Sequence, residues 1–208
     1  MYTFVMGYTH DGTRGQCALL FGRTAHPLER LGPSTAGRSG CSGERNIDVT
    51  LREFYIDRRR AESPAFLRVL KELPIDSVDY KPHERSPTAQ QIVWTLTSEL
   101  KACLDVVTQN KAEWQSLPPP PLPEMVRLFE QRSNELTDLV AKMDEASWNR
   151  TAQFYYNGKV VSEQPVGQFL WFILFDAIHH RGQLSAYLRP MGGKVPSIYG
   201  PSADEGPA

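Results

Sequence analysis

A nearly uninterrupted apolar segment toward the C-terminus constrains the fold of this chain more than any other feature. The run QFLWFILF, residues 168–175, would be apolar almost all round as a helix. Such a helix has to be surrounded by other elements, because a surface helix carries only one apolar stripe. The helical pattern extends from about Pro165 to Arg189 and stops before Pro190 and a pair of glycines. We therefore predict a central helix over this range.

Amphipathic segments upstream supply helices that could surround it. Residues 50–74 read as one helix with a restart, because Ser63 fits an N-cap and Pro64 fits the first helical position. A second helix opens in the same way at Ser86-Pro87. Its apolar positions recur at helical spacing and form one broad stripe: Ala89, Ile92, Val93, Leu96, Leu100, Cys103, Leu104 and Val107.

A third helix is predicted from about Glu124 to Met143, after the stretch SLPPPPLPE, whose prolines require an extended connector. Asn157-Gly158, between two short β-prone runs, predicts a hairpin. Four long helices with modest connectors indicate an all-α four-helix bundle, of up-down-down-up or related topology. A small β-hairpin would lie between the third and fourth helices.

The first 48 residues differ in composition from the rest. They hold eight of the 15 glycines and no lysine. We predict either a flexible arm or a stretch foreign to the natural protein, whose translation would then start at Val49. The bundle would span residues 49–203, and residues 204–208 would form a flexible tail.

Charge and cysteine usage exclude several classes of function. With 23 Lys and Arg against 24 Asp and Glu, the chain has no excess of positive charge for nucleic acid or for a membrane surface. Its three cysteines show no C-x-x-C spacing, which argues against a zinc ribbon and a disulfide framework. We expect a cytoplasmic protein without a membrane span.

Polar residues follow the apolar run directly, in the sequence FDAIHHRGQ. Asp176 and His180 are four residues apart and therefore share a helix face, with His179 beside it. Two side chains at this spacing can hold one metal ion. They could equally form an ion pair within the helix, with His179 in solvent. Gly182 in mid-helix suggests that another backbone or a ligand comes close.

The stretch DAIHHRGQLSAYLRPMGGKVPSIYGPS, together with TLTSE in the second helix, resembles the DinB family of bacterial four-helix bundles. The resemblance covers about residues 50–203. It implies a metal site of three histidines, one from the second helix and two from an H-x-x-x-H on the fourth, holding zinc or nickel. Some relatives are thiol-dependent transferases or isomerases.

This chain departs from that pattern at two of the three ligand positions. Only His180 is retained, while Asp176 and Thr95 stand where the other two histidines would be. A carboxylate still binds zinc, nickel and manganese, but a threonine hydroxyl is a poor ligand. Glu99 lies one turn beyond Thr95 on the same face and could replace it. The predicted ligands are thus Glu99, Asp176 and His180, with His179 or Arg181 positioning a substrate or supplying a proton.

The resemblance favours a metal-dependent enzyme that uses zinc, nickel or manganese for thiol transfer or for hydrolysis of a small molecule. The alternative is a non-catalytic stress-response or binding module that has lost the metal. Asp176 would then pair with a cation such as Arg181 or Lys101. Helix faces on the first or fourth helix could also form a homodimer.

Overall fold

The computed structural model describes residues 49–206, so the predictions for residues 1–48 and for the end of the tail lie outside the described residues. Nine regular elements follow one another from residue 51 onward. They are α1 (Leu51–Lys71), α2 (Ala89–Gln109), β1 (Lys111–Trp114), α3 (Leu122–Lys142), α4 (Glu145–Asn149), β2 (Thr151–Tyr156), β3 (Lys159–Pro165) and α5 (Val166–Leu188), with a 3-10 turn at Ile75–Ser77. The predicted four-helix bundle is confirmed. No helix in this part of the chain is long and apolar enough to cross a bilayer.

Side-chain contacts between the long helices establish their directions. Tyr55 meets Trp171 and Glu62 meets Arg181, so α1 and α5 run the same way. Contacts of α1 with α3 run in the opposite order, since Phe66 near the end of α1 meets Phe129 near the start of α3.

The start of α2 lies at the end of α5, because the Tyr187 hydroxyl donates to the carbonyl of Pro87. Since α2 is therefore antiparallel to α5, the order is up, down, down, up.

The first helix does not restart at Ser63. Leu51–Lys71 is continuous with Pro64 inside it, although an interior proline costs roughly 3 kcal/mol. Burial on both sides of the proline, at Glu62 and Phe66, holds the helix together. The Ser63 hydroxyl does not cap but contacts the Ser133 hydroxyl of α3 at 2.8 Å.

The second helix begins two residues later than Ser86-Pro87 predicts. Thr88 forms a capping box, because its hydroxyl accepts from the Gln91 amide while the Gln91 side chain accepts from the Thr88 amide. The predicted apolar stripe is buried along its whole length. The helix ends at Asn110, which adopts a left-handed conformation with φ of 60°.

The predicted hairpin is part of a larger sheet. β2 and β3 are antiparallel around Asn157 and Gly158, both with positive φ, as a tight turn with right-handed strand twist requires. The sequence does not reveal β1, which pairs in parallel with β2 and forms one edge of a three-stranded sheet. Four residues are too few for a visible alternation pattern.

Gly167, in the first turn of α5, packs directly against an aromatic ring. A Cβ at this position would lie 2.2 Å from Cε2 of the buried Trp148. We predict that Gly167→Ala lowers the free energy of unfolding by about 1–3 kcal/mol, because the indole has to move within a packed core. Urea unfolding measures the effect. In a Trp148→Leu background the same change should cost much less, and an equal cost in both backgrounds would contradict the steric explanation.

Candidate metal centre

Two of the candidate ligands lie one turn apart on α5. Asp176 and His180 are both partly buried, and His180 Nε2 is 3.7 Å from Asp176 Oδ2. This distance is longer than a normal hydrogen bond, so the two side chains face each other without a tight direct contact. Both point into the bundle and away from the outer surface of α5.

The third candidate ligand comes from α2, which is antiparallel to α5. Glu99 is completely buried. One potential ligand atom from each of Glu99, Asp176 and His180 lies within 4.8 Å of the other two. Atoms that bind a common ion at about 2.0–2.2 Å from its centre lie roughly 3–4 Å apart. The three side chains therefore need only small rotations to bind one ion.

The electrostatics of Glu99 suit a cation. No hydrogen-bond donor in the described chain reaches either of its carboxylate oxygens in good geometry. Burial raises the pKa of Glu99 well above its usual value, and the adjacent Asp176 carboxylate raises it further by hydrogen bonding and repulsion. Two adjacent carboxylates, of which Glu99 is fully and Asp176 partly buried, favour either a shared proton or a positive ion between them. The residues present thus fit a divalent metal.

The imidazole of His180 is oriented by its own helix. Its Nδ1 lies 2.7 Å from Oε1 of Gln183, one turn further along α5. With the proton on Nδ1, the ring donates to this oxygen and Nε2 keeps its lone pair toward Asp176. Metal-binding histidines commonly have such a partner on the second ring nitrogen. Gln183 therefore contacts the candidate centre through the His180 ring.

Thr95 occupies the position of the expected second-helix histidine. It is buried one turn before Glu99, and its hydroxyl donates to the Gln91 carbonyl at 3.0 Å. The Thr95 hydroxyl is thus hydrogen-bonded to a backbone carbonyl of its own helix. Glu99, one turn further along α2, has a carboxylate oxygen near the ligand atoms of Asp176 and His180.

The structure does not bring the other predicted site residues to these ligand atoms. His179 is exposed on the outer surface of α5, with its ring beside that of His180. Gly182 is exposed too, and no atom of residues 49–206 lies within 4 Å of the place where a Cβ would be. These residues therefore do not supply the expected close approach, and an approach by a ligand stays a prediction. A pairing of Asp176 with Lys101 is also wrong, because Lys101 binds Asp105.

Arg181 lies on a different face of α5, in a network with the buried Glu62 and the largely exposed Tyr199 that the sequence does not reveal. Its guanidinium binds Glu62 of α1 at 2.5 Å and the Tyr199 hydroxyl at 2.6 Å, and it stacks over the Phe66 ring. Tyr199 in turn donates to Glu62 at 2.8 Å. Arg181 thus joins α1, α5 and the C-terminal segment, and it pairs with Glu62 and not with Asp176. In the sequence, the signal of this network is Glu62, a carboxylate among the apolar residues on one face of α1.

The C-terminal segment lies against the bundle at least as far as residue 205. Asp204 accepts hydrogen bonds from Arg189 and from the Val195 amide, and Glu205 accepts from the Ser197 amide. The prediction of a flexible tail from residue 204 does not anticipate these contacts.

Comparison with known proteins places this geometry in a family. The family model described as the DinB family matches residues 52–207. The chain belongs to the DinB family. The uncharacterized protein YrdA of Bacillus subtilis (strain 168) is 24% identical over 147 residues, which are 69% of this chain and 85% of that protein.

Three solved structures show the same fold. A DinB-like protein from Bacillus cereus ATCC 10987 has a TM-score of 0.59 at 16% identity and covers 71% of this chain and 97% of its own. The DinB-like protein YjoA of Bacillus subtilis has a TM-score of 0.54 at 17% identity, covering 68% and 93%. YfiT of Bacillus subtilis is described as a probable metal-dependent hydrolase with an unusual four-helix bundle topology. Its TM-score is 0.53 at 14% identity, covering 74% and 95%.

Proposed function

We propose that this DinB-family protein binds one divalent metal ion through Glu99, Asp176 and His180 and uses it to hydrolyse a small molecule. The observation that carries the proposal is the convergence of two carboxylates and an imidazole within 4.8 Å inside the bundle. The absence of a donor for the buried Glu99 oxygens, among the described residues, supports it. Three protein ligands leave open positions for water and substrate, as catalytic metal sites require.

The ligand set also bears on the choice of metal. Two carboxylates and one imidazole form a harder site than three histidines, so Zn²⁺ and Ni²⁺ lose part of their advantage over Mn²⁺. Zn²⁺ should still bind more tightly in absolute terms, because it stands above Mn²⁺ in the general affinity order. Asp176→His should restore a softer site and widen the difference between the two ions. Zinc, nickel and manganese all remain candidates. Manganese should compete better with zinc and nickel here than at a site of three histidines.

Hydrolysis is favoured over thiol transfer by the description of YfiT as a probable metal-dependent hydrolase. When bound, a divalent ion supplies Lewis acidity and lowers the pKa of a coordinated water. Cys103 is buried, and burial raises the pKa of its thiol, so it is unsuited to act as a nucleophile. Among the described residues no other thiol is present, so thiol transfer at this part of the chain would need a thiol from a second substrate. Gln183 orients the His180 ring, and Arg181 keeps α5 in place against α1.

Metal content and metal-induced stabilisation test the proposal. Full-length protein, stripped with a chelator and reloaded with Mn²⁺ or Zn²⁺, should contain close to one ion per chain by elemental mass spectrometry. Its melting temperature should rise, because an ion at about 100 times its dissociation constant stabilises the folded state by about 2.7 kcal/mol. His180→Ala should abolish both effects.

His179→Ala is the matched control, since it removes the neighbouring imidazole without touching the three ligands. It should keep both the ion and the rise in melting temperature. If wild-type protein takes up no ion under any loading condition, the proposal is wrong. The protein would then correspond to the non-catalytic module, with a proton shared between Glu99 and Asp176.

A further inference from the structure

A cavity of about 450 Å³ lies between α2, α3 and the sheet, and none of the three proposed metal ligands lines it. Four residues of α2, spaced three or four apart and therefore on one face of the helix, form one of its walls: Trp94, Ser98, Lys101 and Asp105. The buried Glu99 points from a different face of α2. Small-molecule sites have cavities of this size, so the cavity can hold a ligand of its own.

Aromatic rings from three different elements line the cavity. They are Trp94 of α2, Trp114 of β1 and Tyr155 of β2, each partly buried. Two of the rings are held in place by hydrogen bonds. The Trp94 indole donates to the Leu117 carbonyl at 2.8 Å, and the Tyr155 hydroxyl donates to Gln153 Oε1 at 2.7 Å. Ring faces that are already fixed favour a flat apolar ligand, because binding does not have to order them first.

Arg132 of α3 brings an incompletely paired guanidinium to the cavity. Its Nη1 donates to the Thr97 carbonyl at 2.8 Å. Among residues 49–206, its Nε and Nη2 have no hydrogen-bond acceptor, and no carboxylate oxygen lies within 4 Å of the group. Burial lowers the pKa of Arg132, so its charge is poorly hydrated. The Nε–Nη2 edge has two parallel N–H groups, which match the two oxygens of one carboxylate.

The other charged groups of the lining leave the cavity positive overall. Lys101 is neutralised by Asp105, with Nζ 2.6 Å from Oδ2. Glu113 accepts a hydrogen bond from the Gly158 amide at 3.0 Å, while Lys111 forms no ion pair within the described part of the chain. With the guanidinium included, the lining holds three cations and two carboxylates. This excess of positive charge favours an anionic ligand.

We propose that this cavity binds a small planar aromatic carboxylate. The ring of the ligand lies against Trp94 and Trp114, and its carboxylate accepts two hydrogen bonds from Nε and Nη2 of Arg132. Both parts of the ligand are needed, because an uncharged aromatic compound has no group for the guanidinium and an aliphatic acid has no flat face for the indoles. The site is independent of the proposed hydrolysis, since it uses neither the metal ion nor its ligands.

Isothermal titration calorimetry of the full-length protein with naphthoate tests this proposal. Chelator-treated protein is used, because a carboxylate could otherwise bind to a metal ion. Wild type should bind naphthoate with a dissociation constant of about 100 µM, which is ordinary for a ligand of this size. Naphthamide keeps the rings without the charge, and cyclohexanecarboxylate keeps the charge without a flat face. Each should bind at least about tenfold more weakly than naphthoate.

Two variants of the lining locate the site. Arg132→Gln should raise the dissociation constant for naphthoate about 30-fold, because it removes the charged bidentate partner. Ser98→Phe should raise it at least about tenfold, because the added ring fills the cavity while the other lining groups stay in place. The second variant also keeps the hydrogen bond between Arg132 and the Thr97 carbonyl, so it tests the site without loosening α3 from α2.

Arg127→Gln is the matched control, since it removes an exposed arginine of α3 that does not line the cavity. It should bind naphthoate as wild type does, and so should His180→Ala. Circular dichroism verifies that each variant is folded. Wild type that binds no naphthoate at millimolar concentration overturns the proposal, as does binding that neither Arg132→Gln nor Ser98→Phe weakens. Equally tight binding of naphthamide would overturn the carboxylate class, and loss of binding in His180→Ala would overturn the location by placing the ligand at the candidate metal centre.

Discussion

Glu62→Ala is expected to lower the free energy of unfolding by about 3–5 kcal/mol, which is a large part of the stability of a domain of this size. The change removes the only carboxylate that pairs with Arg181 among the described residues. The two side chains are 5% and 3% exposed, so water cannot replace the lost partner. The Tyr199 hydroxyl would remain as an uncharged acceptor for the guanidinium. An unpaired buried cation is costly, and this cost dominates the effect.

Urea unfolding of the wild type and of three variants separates the contributions. Tyr199→Phe removes the hydroxyl but keeps a ring near Arg181, and it should cost about 1 kcal/mol. A double variant, Glu62→Leu with Arg181→Met, removes both charges and should be considerably more stable than Glu62→Ala alone. If Glu62→Ala costs less than Tyr199→Phe, the pair is not an important element of the fold.

Glu99→Gln should have opposite effects on stability with and without metal. In metal-free protein at pH 8, we expect it to raise the free energy of unfolding by about 1–3 kcal/mol, because it removes an ionisable group that is buried beside Asp176. In metal-saturated protein it should lower stability relative to wild type, because a ligand is lost along with the stabilisation of about 2.7 kcal/mol at 100-fold saturation.

The pH dependence of the metal-free protein gives a second signature. The pKa of Glu99 is raised in the folded state above its unfolded value of about 4.3. Its favourable contribution is therefore complete below about pH 4.3 and is lost as the pH rises through the folded pKa. Glutamine has no proton to lose. The stability difference between Glu99→Gln and wild type should thus grow steadily from mildly acidic to alkaline pH.

Chelator-treated protein unfolded in urea at several pH values measures this difference, and the same series with Mn²⁺ or Zn²⁺ measures its reversal. Asp105→Asn is a suitable control, because Asp105 pairs with the exposed Lys101 outside the candidate centre. A constant difference between Glu99→Gln and wild type across the pH range would contradict the ionisation of Glu99. A variant that binds the ions as tightly as wild type would exclude Glu99 as a ligand.

The sequence predicts the bundle well because its signals are local and periodic. The stripe on α2, the apolar run of α5 and the Asn157-Gly158 turn each depend on neighbours within a few residues. The predicted restart at Ser63 is wrong because a non-local effect decides there. Ser63 and Pro64 locally favour the start of a helix, but burial of α1 against the other helices outweighs this preference. β1 is missed because its partner, β2, is remote in the chain and no local pattern announces the pairing.

The candidate site was predictable only in part. Spacing on one helix shows that Asp176 and His180 share a face, and the resemblance to the DinB family points to α2 for a third ligand. The assignment of Arg181 to a substrate could not be tested by spacing, because the face it occupies depends on how α5 is rotated against α1. Its partner Glu62 is distant in sequence, and Tyr199 lies in an irregular segment without periodicity.

The parallel pairing of β1 with β2 affects how the chain can be completed during synthesis. β1 emerges first and has an unpaired edge until Thr151–Tyr156 has been made and α3 has formed in between. Exposed strand edges in incomplete chains invite association with other molecules. β1 is only four residues long and is followed by four prolines, which have no amide hydrogen to donate. The proline run thereby prevents extension of this edge, and we expect it to limit aggregation of the nascent protein.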